Sequence, residues 1–475
     1  MMKRTSLFLA AACMTLAAAA EVTYQTVPLP QQIAIDPSGK QALLIKGQAV
    51  TYPAGNDKMK STAELAGKYL SLTPQEADKK AVPGVQLSLG LKSENPEAYL
   101  ITVDKKGIRI QGASESGVFY GVQTLRKSVM EEKGDTIRLP YATVSDEPRF
   151  GYRGTMLDCA RHFFPVSFVK EFIDILALHG VNRFHWHLTD DQGWRFEVKS
   201  LPELAVKGSV RPYTVVGKNI GVDNAAGAIY DDTPETGYYT QEEMKEIVRY
   251  AEERFITIVP EIDLPGHMIA ALSVYPELGC TGGPYNVWCR WGIAQDVLCA
   301  GNPKTLDFLH KVMDEVCEVF PGKLIHIGGD ESPRNRWKAC PKCQKKLKEL
   351  GLKKEAELQT YINKDIEAYL AAKGREIIGW DETLEGGLSE KASVMSWRGY
   401  KGGIEAARQH HHVVMSPTNH CYIDYYQLKN HDAQPLAIGG YLPVSTVYSM
   451  EPVPAELTEE EGKFIVGAQC NLWTE

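Results

Sequence analysis

Apolar residues recur along this chain with two different periods, and the change from one to the other divides it. Over residues 85–89 and 98–103 they alternate with polar ones, as in strands with one covered face. The run 107–112 follows the turn Asp104-Lys105-Lys106, which predicts a hairpin. Residues 117–129 then carry Val118, Val122, Leu125 and Val129 at helical spacing. These elements predict a small α+β domain over 21–146, and nothing in it gathers residue types that do chemistry.

From Tyr152 the pattern becomes short apolar runs alternating with amphipathic stretches. The runs 154–159, 183–188, 257–262, 324–328, 377–380, 393–397, 412–415 and 464–470 read as strands. Helical spacing marks 166–179, 241–254, 305–320, 356–373 and 402–409. Eight strands interleaved with helices predict an α/β fold, a (β/α)8 TIM barrel over 147–475. The chain ends directly after the eighth strand, so the final barrel helix is expected to be missing. Two long Gly-, Pro- and aromatic-rich stretches, 199–240 and 273–302, each follow a barrel strand and are expected to rise over its C-terminal face.

The N-terminus changes the picture. Lys3-Arg4 precede an apolar run from Leu7 that ends in four alanines before Glu21, the pattern of a secretory signal peptide over 1–20. Export to the periplasm or outside the cell is the expectation; Cys13 as a lipid acceptor is disfavoured because few apolar residues precede it. No stretch is long enough for a membrane span. The formal charge of −8 over 475 residues argues against a nucleic-acid surface, which needs clustered cations. Export permits disulfides, so one pair among Cys280, Cys289 and Cys299 is expected to bridge. Cys340 and Cys343 have CxxC spacing; with no second such pair, zinc is disfavoured against a local disulfide or two free thiols.

Barrel chemistry belongs just beyond the strands' C-terminal ends. There lie Asp158 and Arg161, Asp190-Asp191, His267, Asp330-Glu331, Trp380, Trp397, Tyr422 and Asp424, and Trp473 with Glu475. Tryptophan beside carboxylates at so many strand ends points to a sugar: an aromatic face stacks on a pyranose, while acids and Arg take its hydroxyls. Asp330 and Glu331 are adjacent, so they cannot flank a scissile bond as opposed acid and nucleophile. They fit a division in which one protonates the leaving oxygen and the other steadies a 2-acetamido group that attacks the anomeric carbon itself. His185 and His187 share a strand face, as metal ligands and hydrogen-bonded barrel histidines both can.

The runs 153–163, 184–195 and 260–267, together with His326-Ile327-Gly328-Gly329-Asp330-Glu331, resemble the family 20 glycoside hydrolases, the β-N-acetylhexosaminidases. The resemblance covers nearly all the chain after the signal. It implies a metal-free and cofactor-free enzyme removing terminal N-acetylhexosamine from glycans, with Glu331 as general acid and base and with His185 and His187 as hydrogen-bonded barrel histidines. It implies that Asp330 holds the acetamido nitrogen and Tyr422 its oxygen. Trp380, Trp397 and Trp473 would wall the pocket, and Arg161, Asp424 and Glu475 would bind hydroxyls. His267 with Asp190 or Asp191 would tune Glu331, and the motif does not choose between the two aspartates. Burial among tryptophans and the charge of Asp330 are expected to raise the Glu331 pKa. A family variant taking a sulfated or disaccharide unit, and a non-catalytic carbohydrate binder, are the alternatives; oligomeric state and GlcNAc or GalNAc preference are not legible.

Overall fold

A computed structural model describes residues 22–77, 84–217, 228–389 and 391–475. The expected signal peptide lies outside the described residues. The chain forms two compact units that part between Glu147 and Pro148.

The first unit is a seven-stranded mixed sheet with strand order Gln32–Ile35, Ala142–Asp146, Tyr99–Asp104, Gly107–Gly112, Val85–Leu89, Ala49–Tyr52 and Thr73–Glu76. The hairpin expected at Lys105-Lys106 is present, with Asp104 paired to Gly107 and Arg109 closing an ion pair on Asp104 at 2.8 Å. Helices Asp57–Leu70 and Glu115–Val129 pack on each other and on the sheet. The first of them and the outer strands are additional to the elements read from the sequence, although Met59, Ala63, Ala66 and Leu70 of that helix stand at helical spacing and are buried. Gln32–Ile35 is largely exposed, so it carries no alternation to detect.

The second unit is a closed barrel of eight parallel strands: β1 (Tyr152–Asp158), β2 (Arg183–His187), β3 (Thr257–Glu261), β4 (Leu324–His326), β5 (Glu376–Trp380), β6 (Ser393–Ser396), β7 (Val413–Met415) and β8 (Ile465–Leu472). β8 closes the barrel on β1 through pairs running from Tyr152–Gly467 to Leu157–Leu472. Inside, Tyr152, Val259, Ile378, Trp380, Met395 and Val414 form one buried cluster. The alternate residues Val394, Val413, Met415 and Ile465 face outward onto the helix Lys401–Arg408. Period-two alternation thus splits each strand between the barrel interior and its helical coat.

Helices α1 (Val166–Leu178), α2 (Gln241–Glu252), α3 (Pro303–Val319) and α4 (Ala356–Ala371) lead into β2 to β5, and α5 (Lys401–Arg408) leads into β7. Between β5 and β6 the described residues form a 3-10 turn, Asp381–Gly386. Among the described residues no helix is long and apolar enough to cross a membrane.

Candidate active site

The strand β4 runs out of regular pairing because Gly328 and Gly329 follow it, with φ of +60° and +100°. A Cβ on Gly328 would lie 1.8 Å from Asp263 Oδ1, so only glycine lets the backbone pass here. The turn is pinned from both sides. The Gly329 N–H donates to Asp263 Oδ1 at 3.0 Å, and Gln359 on α4 donates to the Gly329 carbonyl at 2.6 Å. Beyond it Glu331 sits at φ +45°, a left-handed conformation that a non-glycine residue holds only when its surroundings fix it. His267, beyond the end of β3, is also left-handed, at φ +50°.

Asp330 and Glu331 open into a cleft of about 150 Å³ at the C-terminal ends of the strands. Nine of the twelve residues singled out from the sequence line it: Arg161, Asp330, Glu331, Trp380, Trp397, Tyr422, Asp424, Trp473 and Glu475. Trp473 occupies the middle of the aromatic wall, with its ring centroid 6.0 Å from Trp380, 6.3 Å from Tyr422 and 5.0 Å from the Arg161 guanidinium carbon. Trp397 is fixed by its indole N–H, which donates to Glu382 at 2.8 Å. A larger cavity opens at the opposite end of the strands among Thr257, Leu324 and Glu376, away from all these groups.

The other three predicted residues stand behind the cleft. His267 Nδ1 lies 3.0 Å from Asp190 Oδ1 and 3.4 Å from Asp191 Oδ2. Its Nε2 faces Asp330 at 3.6 Å and Glu331 at 3.7 Å. Asp191 accepts the Ile269 N–H on its Oδ1 at 3.0 Å and turns Oδ2 toward the His267 ring, the more distant of the two aspartates. Burial pulls the His267 pKa down, but the Asp190 and Asp330 charges and the Asp190 hydrogen bond overcome it, and the net shift is well upward. The ring is therefore an imidazolium near neutrality, and a cation stands behind the two acids.

Electrostatics separate the carboxylates. The Asp190 pKa is well below the usual range: burial pushes it up, but Arg161 at 2.9 Å and the two neighbouring imidazoles prevail. Asp330 is the more buried of the adjacent pair, with 14% of its side chain exposed against 35% for Glu331. Burial raises the Asp330 pKa, with His267 opposing and the Glu331 charge adding to it. The expected burial of Glu331 is thus corrected: its side chain is partly exposed, and Asp330 is the better covered of the two. Asp424 is pushed up to about 7, chiefly by burial and then by Glu475. Asp330 Oδ1, Asp424 Oδ1 and His267 Nε2 are buried polar atoms with no hydrogen-bond partner in the protein. At the edge of a cleft such atoms are ready to meet a ligand.

Arg161 ties three strand ends together. Its guanidinium reaches Asp158 at 3.2 Å, Asp190 at 2.9 Å and Glu475 at 3.5 Å. Deeper in the barrel, Glu261 binds His185 and His326 at 3.0 Å each, the His187 ring, and the Trp380 indole N–H at 2.9 Å. His185 and His187 are hydrogen-bonded barrel histidines. Their network orients Trp380 from behind.

Several contributors lie outside the twelve residues singled out from the sequence. Tyr425, Ile438 and Gly439 line the cleft from the irregular segment after β7, which has no periodicity. Glu382 is raised to about 8 by burial and then by Asp330. Arg195, in the Asp-Asp-Gln-Gly-Trp-Arg run, donates to the carbonyls of Cys159, Ala160, Ser209 and Gly237 and so anchors the loops around the rim. Of the cysteine expectations, the bridge among Cys280, Cys289 and Cys299 is absent, while Cys340 and Cys343 are two free thiols, one of the two readings given for them. Among the described residues all cysteines are free; Cys289 stands apart, against the Val287 carbonyl, while Cys280 and Cys299 converge on Cys340 and Cys343. The second pair that a metal site requires is therefore present.

Residues 150–475 match the profile described as glycosyl hydrolase family 20, catalytic domain, and residues 23–147 match that of glycosyl hydrolase family 20, domain 2. A beta-hexosaminidase of Porphyromonas gingivalis is 44% identical over 426 residues, covering 88% of this chain and 52% of its own length. One from Vibrio furnissii is 39% identical over 384 residues, covering 80% of this chain and 61% of its own length. The chain thus spans between half and two thirds of the length of these relatives. Among solved structures, an exo beta-N-acetylglucosaminidase of Vibrio harveyi in complex with N-acetylglucosamine aligns over 96% of this chain and 70% of its own, at TM-score 0.79 and 31% identity. The N-acetyl-beta-hexosaminidase of Streptomyces plicatus in complex with Thio-NAglucal aligns over 95% and 85%, at TM-score 0.79 and 28% identity.

Proposed function

We propose, from the premise that this chain belongs to glycosyl hydrolase family 20, that it is an exo-acting β-N-acetylhexosaminidase. It removes terminal N-acetylhexosamine from glycans with retention, through an oxazolinium ion made from the substrate's own acetamido group. The observation that carries this reading is the pairing of Asp330 and Glu331 over one imidazolium, with an unpartnered Asp330 oxygen beneath an aromatic-walled cleft.

The groups divide the chemistry among them. Glu331, nearest the mouth, protonates the glycosidic oxygen and later takes a proton from the incoming water. Asp330 Oδ1 accepts the acetamido N–H, orienting the carbonyl oxygen toward the anomeric carbon and balancing the charge that develops on the nitrogen. Tyr422 donates to that carbonyl oxygen. Trp380, Trp397 and Trp473 stack around the sugar, while Arg161, Asp424 and Glu475 take its hydroxyls. His267, held by Asp190, keeps positive charge behind the acids and so favours an ionised Asp330.

The exported location is part of the same proposal and rests on the N-terminal pattern alone. The test is hydrolysis of a chromogenic N-acetyl-β-glucosaminide by the folded chain, with the product's anomeric form read by NMR in the first turnovers. Release of the β-anomer is expected. No hydrolysis, or release of the α-anomer, contradicts the proposal.

A further inference from the structure

The sulfurs of Cys280, Cys299, Cys340 and Cys343 all lie within 4.8 Å of one another. Cys299 Sγ is 3.5 Å from Cys343 Sγ and 3.7 Å from Cys340 Sγ, and Cys280 Sγ is 3.8 Å from Cys343 Sγ. These separations are far beyond a disulfide bond, and no sulfur is paired with one neighbour in preference to the others. Four thiolates about 2.3 Å from a tetrahedral Zn²⁺ stand about 3.8 Å apart, close to the three separations just given. We propose that these four cysteines form a structural all-thiolate site for one zinc ion, separate from the catalytic cleft and independent of the activity proposed for it.

The surroundings suit a closed site. Cys299, Cys340 and Cys343 are buried and Cys280 is half-buried, so no coordination position faces solvent for catalysis. Cys340 and Cys343 give the local CxxC arm, at the start of the helix Pro341–Glu349. Cys280 and Cys299 come from the two ends of the long loop between β3 and α3, brought together by the bridge Gly279–Leu298. The Gly301 N–H hydrogen-bonds to the Cys299 and Cys343 sulfurs, the support that outer groups give to metal thiolates. A Cβ on Gly301 would stand 2.2 Å from the Lys342 carbonyl, so the two ligand arms meet only because that residue is glycine. Arg336 lies close enough to Cys280 to offset part of the negative charge of four thiolates.

The ion would fasten the loop after β3 to the segment after β4, and these carry His267 and Glu331. The same two stretches are already stitched by the buried Trp337, whose indole N–H donates to the Leu298 carbonyl at 2.9 Å, and by Arg336 with Asp296 at 2.8 Å. Leu298 in turn donates to the Pro265 carbonyl at 3.0 Å, two residues from His267. Zinc therefore acts on the site only by holding its scaffold. Binding releases the thiol protons to solvent and changes no oxidation state.

The purified full chain, dialysed against metal-free buffer, tests this by mass-spectrometric metal analysis. About one zinc per chain is expected, falling below about a tenth in Cys343→Ser and retained in Cys289→Ser. If Cys343→Ser does not fold, cobalt replaces zinc in the unaltered chain, and thiolate-to-cobalt charge-transfer absorption with strong visible bands is expected. The proposal is overturned by zinc retained in Cys343→Ser, by the four cysteines being found in disulfides, or by free thiols that take up neither zinc nor cobalt.

Discussion

His267 turns its Nδ1 to Asp190 at 3.0 Å, and in the proposed mechanism this nearer aspartate supplies most of the charge that holds the ring behind Asp330 and Glu331. Asp191 stands farther off, at 3.4 Å, and is engaged by the backbone of Ile269. In Asp190→Asn the imidazolium loses its main anionic support, so it deprotonates at lower pH than in the parent. The alkaline limb of kcat/KM should move to lower pH, and kcat should fall by roughly 10²-fold. Asp191→Asn should leave the limb nearly in place. A larger displacement in Asp191→Asn than in Asp190→Asn would reverse the assignment.

Glu331 and Asp330 should separate by leaving group. Glu331→Gln removes the proton donor, so kcat on poorly departing alcohols should drop by about 10²–10⁴-fold, with aryl glycosides of acidic phenols much less affected. Asp330→Asn removes the anion that steadies the amide, so both substrate kinds should suffer alike. Small and equal losses from the two changes would refute the split of roles.

Much of this was legible because barrel chemistry is local in sequence. Asp330-Glu331, Asp190-Asp191, Trp380 and Trp473 each follow an apolar run whose strand could be read from its period. The fold followed from the same runs. What escaped has two physical causes. Cys280 and Cys343 are 63 residues apart and meet only through tertiary structure, so the spacing along the chain shows no partner for the CxxC pair. Tyr425, Ile438 and Gly439 lie on irregular backbone, where no periodicity marks which side chains face the cleft. Glu331 was expected to be buried because it sits beside tryptophans in the barrel mouth. In the structure its side chain is partly exposed, at a left-handed φ that nothing in the sequence marks.

Gly328 supplies a test of the turn itself. Gly328→Ala would place a methyl 1.8 Å from Asp263 Oδ1 and 2.8 Å from the Asp263 Cα, at a φ of +60°. Strain and overlap together should cost about 2–4 kcal/mol, read from the denaturant midpoint at unchanged slope, with activity lost beside it. Parental stability in this variant would show that the turn relaxes freely.

Asp424 should impose a pH dependence on binding. Its carboxyl ionises at about 7, and the anion is the stronger acceptor for a sugar hydroxyl. Raising pH from 6 to 8 should therefore increase 1/KM by roughly 5-fold, a difference of about 1 kcal/mol. In Asp424→Asn the rise should vanish. A rise of the same size in that variant would assign it to another group.

The account depends most on the nucleophile being part of the sugar, and a thiazoline analogue of the cyclised N-acetylglucosamine measures that directly. Tight competitive inhibition, at least about 10²-fold stronger than by N-acetylglucosamine, with the protein's intact mass unchanged during turnover, is the predicted result. Weak inhibition together with a trapped glycosyl–protein adduct would contradict it.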